Sequence, residues 1–106
     1  MDIQLKRGLL DVWLLASIQF QDSYGYKIIK DVKPYLTISE STLYPILRRL
    51  ENSRMLTEYS VEHNGRLRKY YRITPIGLQR LASFEEDWQE ITKIHQFVMR
   101  KDTENE

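Results

Sequence analysis

The fold is decided by residues 41–74, STLYPILRRLENSRMLTEYSVEHNGRLRKYYRIT. Leu43, Ile46, Leu47 and Leu50 fall there at i, i+3, i+4 and i+7. At about 3.6 residues per turn they make one apolar helical stripe, which must face a core. The opposite side shows Ser41, Tyr44, Arg48 and Asn52, with Arg49 on the flank, and Thr42 is expected with Ser41, Tyr44 and Arg48 at base edges or phosphates. Such side chains donate readily to phosphates and base edges. Ser39 is expected as the N-cap, its hydroxyl accepting an orphan N–H of the first turn at a helix terminus that favours a phosphate. Pro45 has no N–H to return to the Ser41 carbonyl, which predicts an irregular first turn. Taken alone, an arginine-bearing surface helix is more readily a solvated face.

The following segment changes that reading. Residues 55–62 and 67–74 are both β-prone, and Asn64-Gly65 between them signals a two-residue type I′ turn. Closing there sets His63 opposite Arg66, Val61 opposite Arg68, Ser60 opposite Lys69 and Tyr59 opposite Tyr70, the last a stabilising aromatic pair. Arg66, Arg68 and Lys69 crowd the tip. Residues 41–72 hold Arg48, Arg49, Arg54, Arg66, Arg68, Lys69 and Arg72 against Glu51, Glu58 and Glu62. Residues 73–106 reverse the balance, with Arg80, Lys93, Arg100 and Lys101 against seven acids, so the net charge of +1 hides a polarised chain. Nucleic acid responds to the local patch, because affinity follows the phosphates neutralised and the counterions released. A solvated hairpin whose edge charges discourage aggregation is the plainer alternative. A helix of donors followed directly by a basic hairpin points instead to a winged helix that binds double-stranded DNA.

These residues resemble the PadR family of bacterial transcriptional regulators. Gly25-Tyr26-Lys27-Ile28 is similar to that family's GYxI stretch. Ser41-Thr42-Leu43-Tyr44-Pro45-Ile46-Leu47-Arg48-Arg49-Leu50-Glu51 follows TLYPxLxRLE, and Gly65-Arg66-Leu67-Arg68-Lys69-Tyr70-Tyr71-Arg72-Ile73-Thr74-Pro75-Ile76-Gly77 follows GRxRKYYxLTxxG. The similarity covers nearly the whole chain. It implies a winged helix-turn-helix with a helical dimerisation segment, acting as a repressor. It also implies that the helix bearing Tyr44 and Arg48 enters the major groove while Arg66, Arg68 and Lys69 grip flanking backbone or minor groove. The chain departs from the pattern at Tyr24, where His often stands, at Ser41, where Gly often stands, and at Arg54, where Gly usually ends the recognition helix. The last departure leaves a left-handed C-cap to a residue with a Cβ.

The expected fold class is mainly α with a small β-hairpin. Residues 1–74 form the winged helix, 75–101 a long C-terminal dimerisation helix, and 102–106 a disordered tail. At 106 residues, with a long helix set apart, only a modest core remains. The absence of Cys excludes a disulfide framework, a thiolate metal site and a Cys nucleophile. The apolar run from Leu9 to Ile18 is too short for a membrane span and lacks a signal-peptide cleavage site, so no membrane partner is expected and the cytoplasm is the default location. Leu9, Leu10, Trp13, Leu14, Ala16 and Ile18 are read as a buried helix, with Gly8 marking a bend or close contact. A second helix begins near Ser23 or Tyr24 and ends before Pro34, with Ile28, Ile29 and Val32 inward and Tyr24 and Lys27 placed to reach a phosphate.

Thr74 can cap the last helix, with Pro75 at its first position. Leu81, Phe84, Trp88, Ile91, His95 and Val98 then recur in alternating steps of three and four, a heptad seam. It suits a homodimer arm of about 40 Å, at about 1.5 Å per residue. A two-fold dimer presents two recognition helices, which predicts a pseudo-palindromic operator. Trp88 on the seam is ordinary packing or, by resemblance to short PadR-like regulators, one wall of a site for a small aromatic effector, with Trp13 reaching it only through dimerisation. Glu85, Glu86, Asp87 and Glu90 are a solvated acidic face; Glu85 or Asp87 would favour a cationic planar compound. Without HExxH, a glycine-rich phosphate loop or a triad around His63 or His95, neither catalysis, a metal nor a cofactor is expected. The rival reading is a winged helix that uses its basic wing for protein contact without specific DNA binding.

Overall fold

The computed structural model describes residues 1–103; of the tail expected over 102–106, residues 104–106 lie outside them. The order is α1 (Ile3–Ser17), β1 (Ser23–Tyr24), α2 (Gly25–Val32), α3 (Glu40–Asn52), β2 (Leu56–His63), β3 (Arg66–Ile73) and α4 (Pro75–Val98). Three helices pack behind a small antiparallel sheet of order β1-β3-β2, and α4 follows the wing. This is a winged helix.

The hairpin closes as its turn chemistry dictates. Asn64 and Gly65 take φ of 51° and 78°, the two positive values that a type I′ turn needs, and the register runs from His63↔Arg66 through Tyr59↔Tyr70 to Leu56↔Ile73. The expected two-stranded wing gains a third strand. β1, only two residues long, pairs Ser23 with Tyr71 and Tyr24 with Tyr70, covering the inner end of β3 and leaving its tip-ward edge open.

Among the described residues, side-chain caps start two of the four helices. The Asp2 carboxylate accepts from the Gln4 and Leu5 N–H groups at 2.9 and 3.2 Å, and the Thr74 hydroxyl accepts from Gly77 N–H at 3.1 Å. Ser39 begins α3 in extended conformation but does not cap with its hydroxyl. That group lies 2.8 Å from the Ser41 hydroxyl and 3.2 Å from that of Thr42, partners that displace the first-turn N–H. The helix runs through Pro45, and irregularity is confined to its start, where the Ser39 carbonyl accepts from both Thr42 and Leu43. At the other end Arg54 takes φ 62°, while Met55 N–H bonds back to Leu50 O and Arg54 N–H to Glu51 O, both at 2.9 Å. These two bonds are a Schellman closure built without glycine. Gly8 marks neither a bend nor a close contact: α1 is continuous through it and a Cβ there would meet open space.

The core joins Leu14, Leu15 and Ile18 of the α1 region to Ile28 and Val32 of α2, Leu43, Leu47 and Leu50 of α3, and Leu56 and Tyr71 of the sheet. Truncating a buried leucine of this kind to Ala costs roughly 2–5 kcal/mol. Trp13 and Leu81 pack against its edge. Leu81 therefore serves the fold of one chain, which the heptad pattern does not reveal. Beyond it α4 projects, giving a principal extent of 71 Å against 26 and 21 Å. Phe84 and Ile91 are half-buried, His95 and Val98 are exposed, and Trp88 is 54% exposed.

Candidate nucleic-acid interface

Tyr24, Tyr44, Arg66, Arg68 and Lys69 meet around one cleft of about 690 Å³ between the N-terminus of α2, the outer face of α3 and the open edge of β3. Tyr44 stands there because α2 begins with glycine. A Cβ built on Gly25 would lie 2.6 Å from the Tyr44 hydroxyl oxygen and 3.2 Å from its ring. Arg48 lies in an adjoining depression of about 210 Å³ with Glu51, Glu58, Lys69 and Tyr71. Ser41 and Thr42 are not part of the cleft. They line a groove of about 520 Å³ on the other flank of α3, beside Arg7, Pro45 and Arg49 of the same chain.

Period-two geometry divides the wing cations. Lys69 shares a face with Tyr71, which is buried, and its ammonium lies 3.8 Å from the Glu58 carboxylate across the ladder. Arg66, Arg68 and Arg72 belong to the other face with Tyr70. There the Arg68 guanidinium lies over the Tyr24 ring, 4.1 Å from its centroid, and that ring meets Tyr70 edge-on at 5.4 Å. Tyr70 stacks on Tyr59 at 5.7 Å. Arg72 is committed to the base of the wing: its Nε donates to Asp22 at 3.0 Å, and the Tyr59 hydroxyl donates to the same carboxylate at 2.5 Å. These bonds raise the affinity of both Tyr59 and Arg72 for their protons.

Charge beneath the cleft is also structured. Burial, followed by the neighbouring Glu58 carboxylate, raises the Glu51 pKa above the ordinary carboxylate value. Burial pushes the Tyr71 phenol up to about 12, with Glu58 adding to the effect, so Tyr71 is neutral at physiological pH and presents a dipole. On the far side of α3, Arg49 bonds to Asp11 of α1. Lys27, which the sequence placed to reach a phosphate, is paired with Asp31 at 2.7 Å along its own helix.

Sequence reasoning missed Gly25 as the seat of Tyr44, and missed Asp22 and Asp11 as the carboxylates holding Arg72 and Arg49. Only the alternation along residues 66–72 carried a signal, since it separates Arg68 from Lys69 once the strand is known. No helix among the described residues is long and apolar enough to cross a membrane.

Residues 14–83 match the transcriptional regulator PadR-like family. The chain belongs to that family. It is 35% identical over 98 residues to an uncharacterised protein of Lysinibacillus sphaericus, across 88% of this chain and 90% of the other. Among solved structures, a transcriptional regulator from Clostridium thermocellum is similar at 32% identity and a TM-score of 0.83, covering 92% of this chain and 99% of that one. A PadR family transcriptional regulator from Eggerthella lenta gives 30% identity and 0.84, over 94% and 89%. PadR-like membership makes the protein a DNA-binding regulator of transcription and not an enzyme.

Proposed function

We propose that the chain is a sequence-specific repressor that binds a pseudo-palindromic operator as a homodimer. The observation that carries this reading is the meeting of Tyr44, Arg66, Arg68 and Lys69 around one open cleft in a PadR-like protein. Tyr44 and Arg48 read base edges or phosphates in the major groove, and the wing cations take flanking backbone or minor groove. Ser41 and Thr42, on the far flank, contact the opposite phosphate strand. Such a target places the protein in the cytoplasm.

Phe84, Trp88, Ile91, His95 and Val98 meet the partner's arm, while Leu81 anchors each arm to its own winged helix. Exposure of Trp88, Phe97 and Val98 at 54, 62 and 65% in the single chain supports a covered state in the dimer. A small planar aromatic effector at Trp88 would release the operator by shifting the spacing of the two winged helices. Quenching of tryptophan fluorescence by a panel of planar cations, lost in W88A, supports the effector; indistinguishable wild type and W88A dismiss it.

The decisive experiment is fluorescence anisotropy with DNA from directly upstream of the protein's own gene, against scrambled competitor, at two salt concentrations. Tight, salt-sensitive binding that survives competitor is expected. Weak binding, equal on both duplexes across an operator screen, would replace this reading with a protein-contact role for the wing.

A further inference from the structure

Tyr24 and Arg68 are one device. The Arg68 guanidinium carbon lies over Tyr24, 4.1 Å from the ring centroid, and Tyr24 is itself fixed by the edge-on contact with Tyr70 and by the β1 ladder. A stacked guanidinium uses its π face and leaves its N–H rim free to donate in plane. The Tyr24 hydroxyl has no hydrogen-bond partner among the described residues, so the ring is the working part. Arg72, four residues along the same face, is the internal control. Its Nε and Nη2 are both held by Asp22 at 3.0 Å, so its charge is matched and its rim engaged.

We propose that Tyr24 is a positioning residue that presents Arg68 to a DNA phosphate, and that Arg68, unlike Arg72, is an outer-face cation whose contact releases counterions. An arginine on a hairpin loses rotamer freedom when it binds. One already laid on a ring has lost it before DNA arrives. The inference rests on the DNA-binding reading above and deepens it, by turning Tyr24 from a phosphate contact into the support of one.

The test is anisotropy over a salt series with the full chain and its upstream DNA, for wild type, Y24F, Y24L, R68A, R72A and Y24L/R68A. Y24F should match wild type. Y24L and R68A should each weaken binding several-fold, the double variant should be no weaker than R68A, and R68A should lower the salt slope by about one while R72A leaves it unchanged. Independently of DNA, the Arg68 side-chain protons should resonate upfield from the ring current in wild type and Y24F, which needs no leucine variant to fold. Additive losses for Y24L and R68A, a Y24F loss equal to that of Y24L, an unchanged slope in R68A, or no upfield shift each overturn the proposal and leave DNA binding standing. Absence of salt-sensitive binding by wild type overturns the DNA reading, and this inference with it.

Discussion

Single atoms decide two features of this protein. The space where Gly25 lacks a Cβ is the space that the Tyr44 hydroxyl needs. G25A should therefore swing the ring out of the cleft, cutting DNA affinity several-fold while the melting temperature stays within a few degrees of wild type, because alanine also favours α2. Circular dichroism and anisotropy on the same preparation check this, and the loss should shrink in a Y44F background, where the hydroxyl is gone. Arg54 is the converse case, a Cβ where none is wanted. At φ 62° a non-glycine residue is strained by about 1 kcal/mol, so R54G should raise the thermal midpoint by a few degrees and R54A should not. Neither residue announces its role in isolation. Arg54 is legible because it stands where a helix must end; Gly25 is not, because its neighbour Tyr44 belongs to another helix.

Among the elements, the hairpin was legible pair for pair, since Asn-Gly admits one tight turn and the turn sets the register. β1 was not legible, because two residues have no periodicity, and the bonds from Asp22 to Arg72 and from Asp11 to Arg49 cross distances that local patterns do not span. The junction of α3 with the wing carries a pH signature of its own. Glu51 holds its proton more tightly in the folded chain, through burial and the nearby Glu58. The sign follows: folding is favoured as pH falls through the window just above ordinary carboxylate values, and that contribution is lost as pH rises out of it. The unfolding midpoint measured between about pH 7 and about pH 5 should thus include a rising term that E58Q reduces. The same substitution frees Lys69 and should tighten DNA binding at neutral pH.

For the whole molecule, the long α4 helix was legible, but the stripe along it does not say what covers each of its residues. Leu81 lies against its own core and Ile91 is half-buried, whereas Trp88, His95 and Val98 stand exposed. I91E should accordingly give monomers with an intact winged helix and much weaker binding to a two-half-site operator, while L81E should lower stability outright. Sedimentation showing an intact I91E dimer would take the arm out of the interface. The pairing of β1 with β3 has a last consequence, in time rather than space. Ser23 and Tyr24 leave the ribosome early, but their partners Tyr70 and Tyr71 follow only after α2, α3 and the hairpin turn. The local hairpin can form in microseconds, yet β1 must close a long loop to join it. A chain cut short before β3 thus lacks both the wing and the ladder that fixes Tyr24.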